Sequence, residues 1–332
     1  MLKLGIIGTN WITEQFIQAA QATKLYQLTT VYSRHQNTAE EMATKYHATE
    51  TFTDLTAFFK RGQFDVVYIA SPNSLHFEQT RLALNAGKHV IVEKPAFSNP
   101  TEMAAITKLL AQKSDLFLFE AARHTYEPNF KAVKAAIAKL DQLQGATLAY
   151  MKYSSRYDQV LAGKEPNIFS PRFSGGALQD LGVYLVYDAV MWFGVPQAAH
   201  YYASMIKTGV DGKGTAILRY PDFDVTLIFG KNATAYQTSE IYGLHETILL
   251  DNNAADLQTV KLRRGEQTEQ LSTSPAANPM IHEAEAFATM LSQKDHQAAA
   301  KRLQISQQVN QVLYQLRQSA GVKFAADAKE NQ

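Results

Sequence analysis

Hydrophobic and polar positions follow two different rhythms along this chain. In the first part, short apolar runs at residues 4–7, 28–32, 66–70, 90–92 and 116–119 are mostly separated by stretches of helical pattern. Buried short strands that alternate with helices predict a parallel, doubly wound sheet. Local signals agree with it. Thr38-x-x-Glu41 reads as a capping box and Asn99-Pro100-Thr101-Glu102 as a helix start with proline at its first position. Ala86-Gly87 reads as a helix end.

The second part changes rhythm. Residues 147–154, 200–206, 215–220, 225–229, 239–242, 247–250 and 260–262 read as strands, joined by turn-rich stretches at 209–214 and 251–253. Strands without intervening helices predict a mostly antiparallel sheet. Helices are expected near 281–291 and 304–319, and residues 325–332 read as a polar, frayed tail. The pattern divides the chain into domains 1–123 and 124–332, with a helix around 131–140 that suits either side.

Composition narrows the function classes. The chain has 332 residues, 46% of them hydrophobic and 19% charged, which suits a globular protein of two domains. Thirty-two Lys and Arg against 31 Asp and Glu leave a formal charge of +1, so no electrostatic footprint for nucleic acid or an anionic membrane is expected. The one dense basic cluster, residues 261–264, reads as a solvated hairpin end. There is no cysteine, which removes disulfides and thiolate metal sites and suits a reducing cytoplasm. No apolar run has transmembrane length, and only Lys3 precedes the first strand, so a signal peptide is not expected. A cytoplasmic location follows as an expectation.

Candidate chemistry begins at Gly5-Ile6-Ile7-Gly8-Thr9-Asn10-Trp11-Ile12-Thr13. In a dinucleotide turn the first glycine allows the tight bend. The second lets the backbone approach the pyrophosphate, and the third lets helix pack on strand. Gly8 fills the first role. Asn10 stands at the second, where asparagine's tolerance of left-handed backbone angles can mimic a glycine turn, and Thr13 stands at the third. Taken alone, the stretch also fits an ordinary strand–turn–helix. Gly8, Thr9, Asn10, Trp11 and Ile12 are the candidate cofactor contacts here. An acid is needed at the end of the second strand to hold a ribose 2′-hydroxyl. The chain offers Ser33 and Arg34 instead, which suit a 2′-phosphate and favour NADP over NAD, although a surface arginine explains Arg34 as well.

Three further segments belong together. They are Ala70-Ser71-Pro72-Asn73-Ser74-Leu75-His76, Gly87-Lys88-His89-Val90-Ile91-Val92-Glu93-Lys94-Pro95 and Gly175-Gly176-Ala177-Leu178-Gln179-Asp180-Leu181-Gly182-Val183-Tyr184. Their order and spacing resemble the glucose–fructose oxidoreductase and inositol dehydrogenase family (Gfo/Idh/MocA) along nearly the whole chain. Tyr184, where many members carry histidine, and Phe117-Leu118-Phe119-Glu120-Ala121-Ala122 resemble the branch of the dimeric dihydrodiol dehydrogenases.

The resemblance implies an N-terminal Rossmann-type domain and a C-terminal α+β domain with a large open, mostly antiparallel sheet that pairs subunits into a homodimer or higher oligomer. It also implies hydride transfer to or from a small sugar, polyol or cyclic diol. By resemblance Ser71, Pro72, Asn73, His76 and Glu93 line the cofactor site, and Lys94 reaches both cofactor and substrate. The Lys94-Pro95 bond is expected to be cis.

Asp180, Tyr184 and Asp188 are spaced to share one helical face and are expected to meet substrate, with Lys94, Asp180 and Tyr184 catalytic. Tyr184 is expected to carry the proton, its acidity raised by the Lys94 ammonium, with Asp180 orienting Lys94 or a substrate hydroxyl. A core aromatic is the alternative for Tyr184. Gly182 inside that helix predicts a close neighbour. Arg123, with His124 and Tyr126, falls at the domain junction and either touches substrate or caps the crossover. Glu283 and Glu285 read as solvated helix acids, and His245 and Glu246 lack further ligands, so no metal is expected. Two other classes compete with the dehydrogenase. A non-catalytic nucleotide- or sugar-binding regulator is opposed by the intact Lys94, Asp180 and Tyr184. A methyltransferase is opposed by the Glu-Lys-Pro segment.

Overall fold

In the computed structural model, residues 1–331 are described, with side chains through residue 328. The chain divides into two compact units, Met1–Arg123 with Ala276–Ser306, and His124–Pro275 with Gln307–Gln332. Gln332 itself lies outside the described residues.

The first unit runs β1 (Leu2–Ile7), α1 (Trp11–Ala22), β2 (Tyr26–Tyr32), α2 (Gln36–Tyr46), β3 (Glu50–Phe52), α3 (Leu55–Arg61), β4 (Val66–Ile69), α4 (His76–Asn85), β5 (His89–Glu93), α5 (Pro100–Ala111) and β6 (Leu118–Ala121). All its strand pairs are parallel, in the order β3-β2-β1-β4-β5-β6. This is the doubly wound arrangement of a dinucleotide-binding sheet, whose order reverses between β1 and β4. Val66, Val67, Val90 and Ile91 are fully buried because helices cover both faces.

Helix punctuation is partly as the sequence suggests. Asn99 Oδ1 accepts the Glu102 N–H at 2.9 Å above Pro100, and Gly87 follows α4 at φ +73°. The capping box at Thr38 does not form. The helix α2 starts at Gln36, so Thr38 is already helical, and His35 caps it without a side-chain bond. The strand β3 was not evident, because three half-buried residues carry no alternation to read.

The second unit begins with α6 (Pro128–Ile137), β7 (Gly145–Met151), α7 (Tyr157–Leu161) and α8 (Val183–Phe193). The strands β8 (Ala198–Met205), β9 (Asp211–Arg219), β10 (Asp224–Gly230), β11 (Ser239–Tyr242), β12 (Glu246–Leu250), β13 (Val260–Arg264) and β14 (Gln267–Gln270) follow. Eight strands form one sheet in the order β14-β13-β12-β11-β7-β10-β9-β8. Only the β7–β10 pair is parallel among them. One face carries the core, with Leu148, Leu218, Leu227, Phe229, Ile241 and Ile248 fully buried. The opposite face carries Tyr202, Thr215, Ile217, Thr226, Ile228 and Leu249 at exposed or half-buried positions.

Two helices close the chain, α9 (Ile281–Gln293) and α10 (His296–Ser319). The sequence assigns 124–332 to one domain, whereas Ala276–Ser306 lies in the first unit. Specific contacts explain this. The Tyr26 hydroxyl donates to the Ala284 carbonyl at 2.9 Å, and the Phe119 and Phe287 rings stack at 4.7 Å. Glu283, expected to be solvated, is fully buried, while Glu285 is exposed beside His282. The tail is not frayed where it is described. Residues Ala325–Asn331 form a 3-10 turn, and Asp327 receives two hydrogen bonds, at 2.6 and 2.8 Å, from the fully buried Arg317. Among the described residues no helix is long and apolar enough to cross a membrane.

Candidate functional site

The first unit supplies the turn after β1. Gly8 has φ +106°, and a Cβ there would stand 2.7 Å from the Ala70 carbonyl oxygen. Only glycine fits both the angle and the close approach to the end of β4. Asn10 does not adopt the left-handed backbone that its type suggested. Its backbone is extended, at φ −94° and ψ 176°, and its side chain caps α1. Asn10 Oδ1 accepts the amides of Ile12 at 3.0 Å and Thr13 at 3.2 Å, while Nδ2 donates to the Ala70 carbonyl at 3.2 Å. The Glu14 amide already bonds the Asn10 carbonyl at 3.2 Å. Of the first-turn amides of α1, that of Trp11 is left for an anion among the described residues. Thr13 is buried, Thr9 and Ile12 are half-buried, and the Trp11 indole is 69% exposed.

At the end of β2, Ser33 is buried and its hydroxyl accepts the His35 amide at 3.3 Å. Arg34 is exposed, and its guanidinium makes no hydrogen bond or ion pair among the described residues. No acid stands at this strand end between Tyr32 and Gln36.

The loops after β4 and β5 are joined by one residue. His76 is fully buried, with Nε2 2.8 Å from the Ser71 carbonyl oxygen and Nδ1 3.1 Å from that of Pro95. Its ring brackets the two loops, and burial lowers its pKa. Ser71 donates to Gln79 Oε1 at 2.6 Å; Pro72 and Asn73 are half-buried, and Asn73 opens a 3-10 turn. Glu93 is also beneath the surface. Its Oε1 accepts the Tyr68 hydroxyl at 2.5 Å and its Oε2 accepts the Lys94 amide at 3.2 Å. Burial pushes the Glu93 carboxyl up, against the pull of the Lys94 and Arg123 charges. Lys94 is half-buried and precedes a cis bond to Pro95. Arg123 is half-buried just past β6.

The second unit holds the third motif. The stretch Leu178–Gly182 is a π-turn that leads into α8, not the plain α-helix expected. It starts on Asp211 of β9, whose Oδ2 accepts the Leu178 amide at 2.6 Å and the Tyr201 hydroxyl at 2.8 Å. Gly176 lies at φ +120° directly against this carboxylate, which leaves no room for a Cβ. Gly182 has the close neighbour expected of it, since a Cβ would come within 3.1 Å of the Phe229 ring.

Asp180 lies in the π-turn, while Tyr184 and Asp188 stand four residues apart in α8 and both meet His124. Asp180 is half-buried and pairs with Lys231, a residue the sequence did not single out. Tyr184 is 8% exposed, its ring edge-on to His124 at 5.0 Å and to Tyr150 at 5.7 Å. Asp188 is fully buried, with Oδ1 3.2 Å from His124 Nε2, so its place is beneath Tyr184's neighbours rather than against a substrate. Burial, with Glu127 adding repulsion, pushes the Asp188 carboxyl well above the usual carboxylate range. Lys231 and Asp211 were missed for the same reason. A lone lysine after a strand reads as solvated, and an acid in the stretch 209–214 reads as a turn residue; only strand pairing gives them partners.

Comparison with known proteins places this geometry in a family. Residues 2–120 match the family described as "Oxidoreductase family, NAD-binding Rossmann fold". The chain is 38% identical to the uncharacterized oxidoreductase YgjR of Escherichia coli (strain K12), over 99% of both chains. It is 37% identical to scyllo-inositol 2-dehydrogenase (NADP(+)) IolU of Bacillus subtilis (strain 168), over 98% of this chain and 99% of that one. Trans-1,2-dihydrobenzene-1,2-diol dehydrogenase of Mus musculus is 27% identical over 66% of this chain and 65% of its own length. Among solved structures, a 3-ketoreductase from Actinomadura kijaniata in complex with NADP and TDP-benzene shares the fold with TM-score 0.84, at 21% identity over 96% of this chain and 97% of that one. On the full-length identity and the matched nucleotide domain, the chain belongs to the Gfo/Idh/MocA family of oxidoreductases.

Proposed function

We propose that this chain is an NADP-dependent oxidoreductase that moves a hydride between the nicotinamide and a small sugar, polyol or cyclic diol. The observation that carries the cofactor choice is Arg34, an exposed guanidinium without a protein partner among the described residues, at the β2 end where an NAD enzyme keeps an acid. Arginine pairs with phosphate through a planar fork of donors, which suits a 2′-phosphate. Ser33 stands beside it. The Gly8 turn and the Trp11 amide fit a pyrophosphate, and the loops bracketed by His76 suit a nicotinamide at the ends of β4 and β5. Relatives named for NADP(+) and for scyllo-inositol or a dihydrodiol support both the cofactor and a neutral, hydroxyl-bearing substrate.

When bound, the nicotinamide supplies or accepts the hydride. The protein's task is the proton. Oxidation of an alcohol releases one from the hydroxyl, and reduction of a carbonyl requires one, so a side chain must reach that oxygen. Tyr184 is assigned this exchange, as acid in reduction and base in oxidation. Lys94 is assigned to substrate, and Asp180 to holding a substrate hydroxyl.

A homo-oligomer, at least a dimer, is part of the same proposal. It is supported by the outer face of the second sheet, where Tyr202 is 65% and Ile217 37% exposed. A small-molecule substrate, no nucleic acid partner and a cytoplasmic location complete the reading.

The test is a panel of sugars, polyols and trans-diols assayed with NADP and with NAD by reduced-nicotinamide absorbance. Turnover of a cyclic polyol with NADP preferred is expected. A preference for NAD, or no turnover of any hydroxyl substrate, would overturn it. Trp11 and Trp192 are the only tryptophans. NADPH should therefore quench fluorescence in wild type and in Trp192→Phe, and lose most of that effect in Trp11→Phe.

A further inference from the structure

Lysine is rarely buried without a partner, because an ammonium taken from water loses its hydration. Lys231 is buried nonetheless, at 6% exposure. It is the first residue after β10. Its amide donates to the Gly212 carbonyl at 2.8 Å, and its own carbonyl accepts the Ser154 amide at 2.9 Å. Bonds on both sides fix the backbone, and with it the direction of the side chain. The ammonium pairs with Asp180 Oδ2, and the Phe169 ring lies 6.0 Å from it. The two members of the pair differ in access. The Lys231 side chain is 7% exposed and that of Asp180 25%, so the carboxylate faces outward and the ammonium stands behind it.

We infer that Lys231 is a positioning residue of the oxidoreductase: it holds the Asp180 carboxylate in one orientation, so that the carboxylate accepts a hydroxyl on the carbon next to the reacting one. This rests on the proposed function above. A carboxylate at the start of a helix has several rotamers and a water shell. A buried ammonium fixed from behind selects one rotamer and replaces part of that shell with a charge-assisted bond. The pair is also electrically balanced, which suits a neutral polyol rather than an anionic substrate. A purely structural purpose fits less well. Replacing a buried ion pair by apolar groups of similar volume is often neutral or stabilising. Retaining the pair in the half-exposed turn that carries the motif Asp180 therefore points to binding or turnover.

The experiment is a double-mutant cycle of Lys231→Met and Asp180→Asn, with Lys231→Arg as the conservative variant. Steady-state kinetics would use a cyclic polyol with vicinal hydroxyls and an analogue lacking the neighbouring hydroxyl. NADPH dissociation constants and unfolding midpoints are measured beside them. Lys231→Met is expected to lower kcat/KM for the polyol on the order of 10²-fold, as misplaced groups do. It should leave NADPH affinity within about twofold. The analogue should be affected far less. In the Asp180→Asn background the same substitution should cost almost nothing further, since its target is gone. Lys231→Arg should restore part of the loss.

Full polyol turnover by folded Lys231→Met would overturn the inference. So would losses that multiply in the double variant, because Lys231 would then act apart from Asp180. Should Lys231→Met not fold, Lys231→Arg and the apolar-neutral double variant carry the same comparison. In that case a Lys231→Arg enzyme that loses polyol and analogue equally overturns it. A wild type that turns over no polyol sinks the proposed function, and this inference with it. An active wild type with an indifferent Lys231 sinks the inference alone.

Discussion

The carboxylate of Asp211 accepts the backbone N–H of Leu178 at 2.6 Å, and so ties β9 to the first turn of the helix that bears Asp180 and Tyr184. The same oxygen receives the Tyr201 hydroxyl at 2.8 Å. Burial pushes the Asp211 carboxyl up, while Tyr201 and the backbone donors pull it down. Asp211→Ala would orphan both donors, at about 1–3 kcal/mol for each buried group left unpaired. A lower unfolding midpoint is expected, together with a kcat loss larger than the loss of NADPH affinity. An unchanged midpoint in thermal or urea unfolding would contradict this account of the turn.

Arg34→Ala should weaken NADP while scarcely changing NAD. Losing a charge-assisted contact costs about 1.5–3 kcal/mol. The measurement is kcat/KM with each cofactor at fixed substrate. Equal loss for both would remove Arg34 from the 2′-phosphate.

Tyr184→Phe should lower kcat by roughly 10²–10⁴-fold, the range for loss of a general acid or base. NADPH affinity should stay nearly constant, because the hydroxyl alone is removed. In the oxidation direction the wild-type rate should rise with pH through one group, and the variant should lose that rise. Near-normal turnover would return Tyr184 to a packing role against His124 and Tyr150, with Lys94 then the proton donor.

Light scattering at micromolar concentration should give at least a dimer. The residues on the open face suggest where to break it. Ile217 pairs across from His200 and Thr226 on that face. A charge there would be buried unpaired in the interface, so Ile217→Asp should yield monomer. A wild-type monomer would refute the assembly, and a dimeric Ile217→Asp would move it off this face.

Glu93 gives a pH test of the fold beneath Lys94. Its native pKa is raised above the ordinary 4.5, with burial the main cause. In the window above that value the folded state holds more protons than the unfolded one. Its contribution to stability is thus full below about 4.5 and is lost as pH rises through the raised native value. Glu93→Gln has no such slope. Its unfolding midpoint relative to wild type should therefore move upward between pH 4 and pH 7. A difference that stays constant over that range would mean that Tyr68 and Lys94 offset the burial.

Much of this protein is set by local sequence. Short apolar runs alternating with helical stretches specify a parallel sheet covered on both faces, and Gly8 specifies the bend after β1, because only glycine takes φ +106° so close to a carbonyl. Asn99 and Pro100 start α5 as their types require. Candidate residues such as Arg34 and Lys94 were visible because their neighbours in sequence form motifs. What the sequence left open is what depends on partners far along the chain. Asn10 caps α1, and its Nδ2 reaches the Ala70 carbonyl sixty residues away. Glu283 and Asp188 look solvated or reactive until packing buries them, and Lys231 looks like a loop lysine until β10 sets it behind Asp180. Period and turn chemistry are short-range, so they can be read along the chain. Burial and charge pairing are set by which strands and helices meet, and only the tertiary structure decides them.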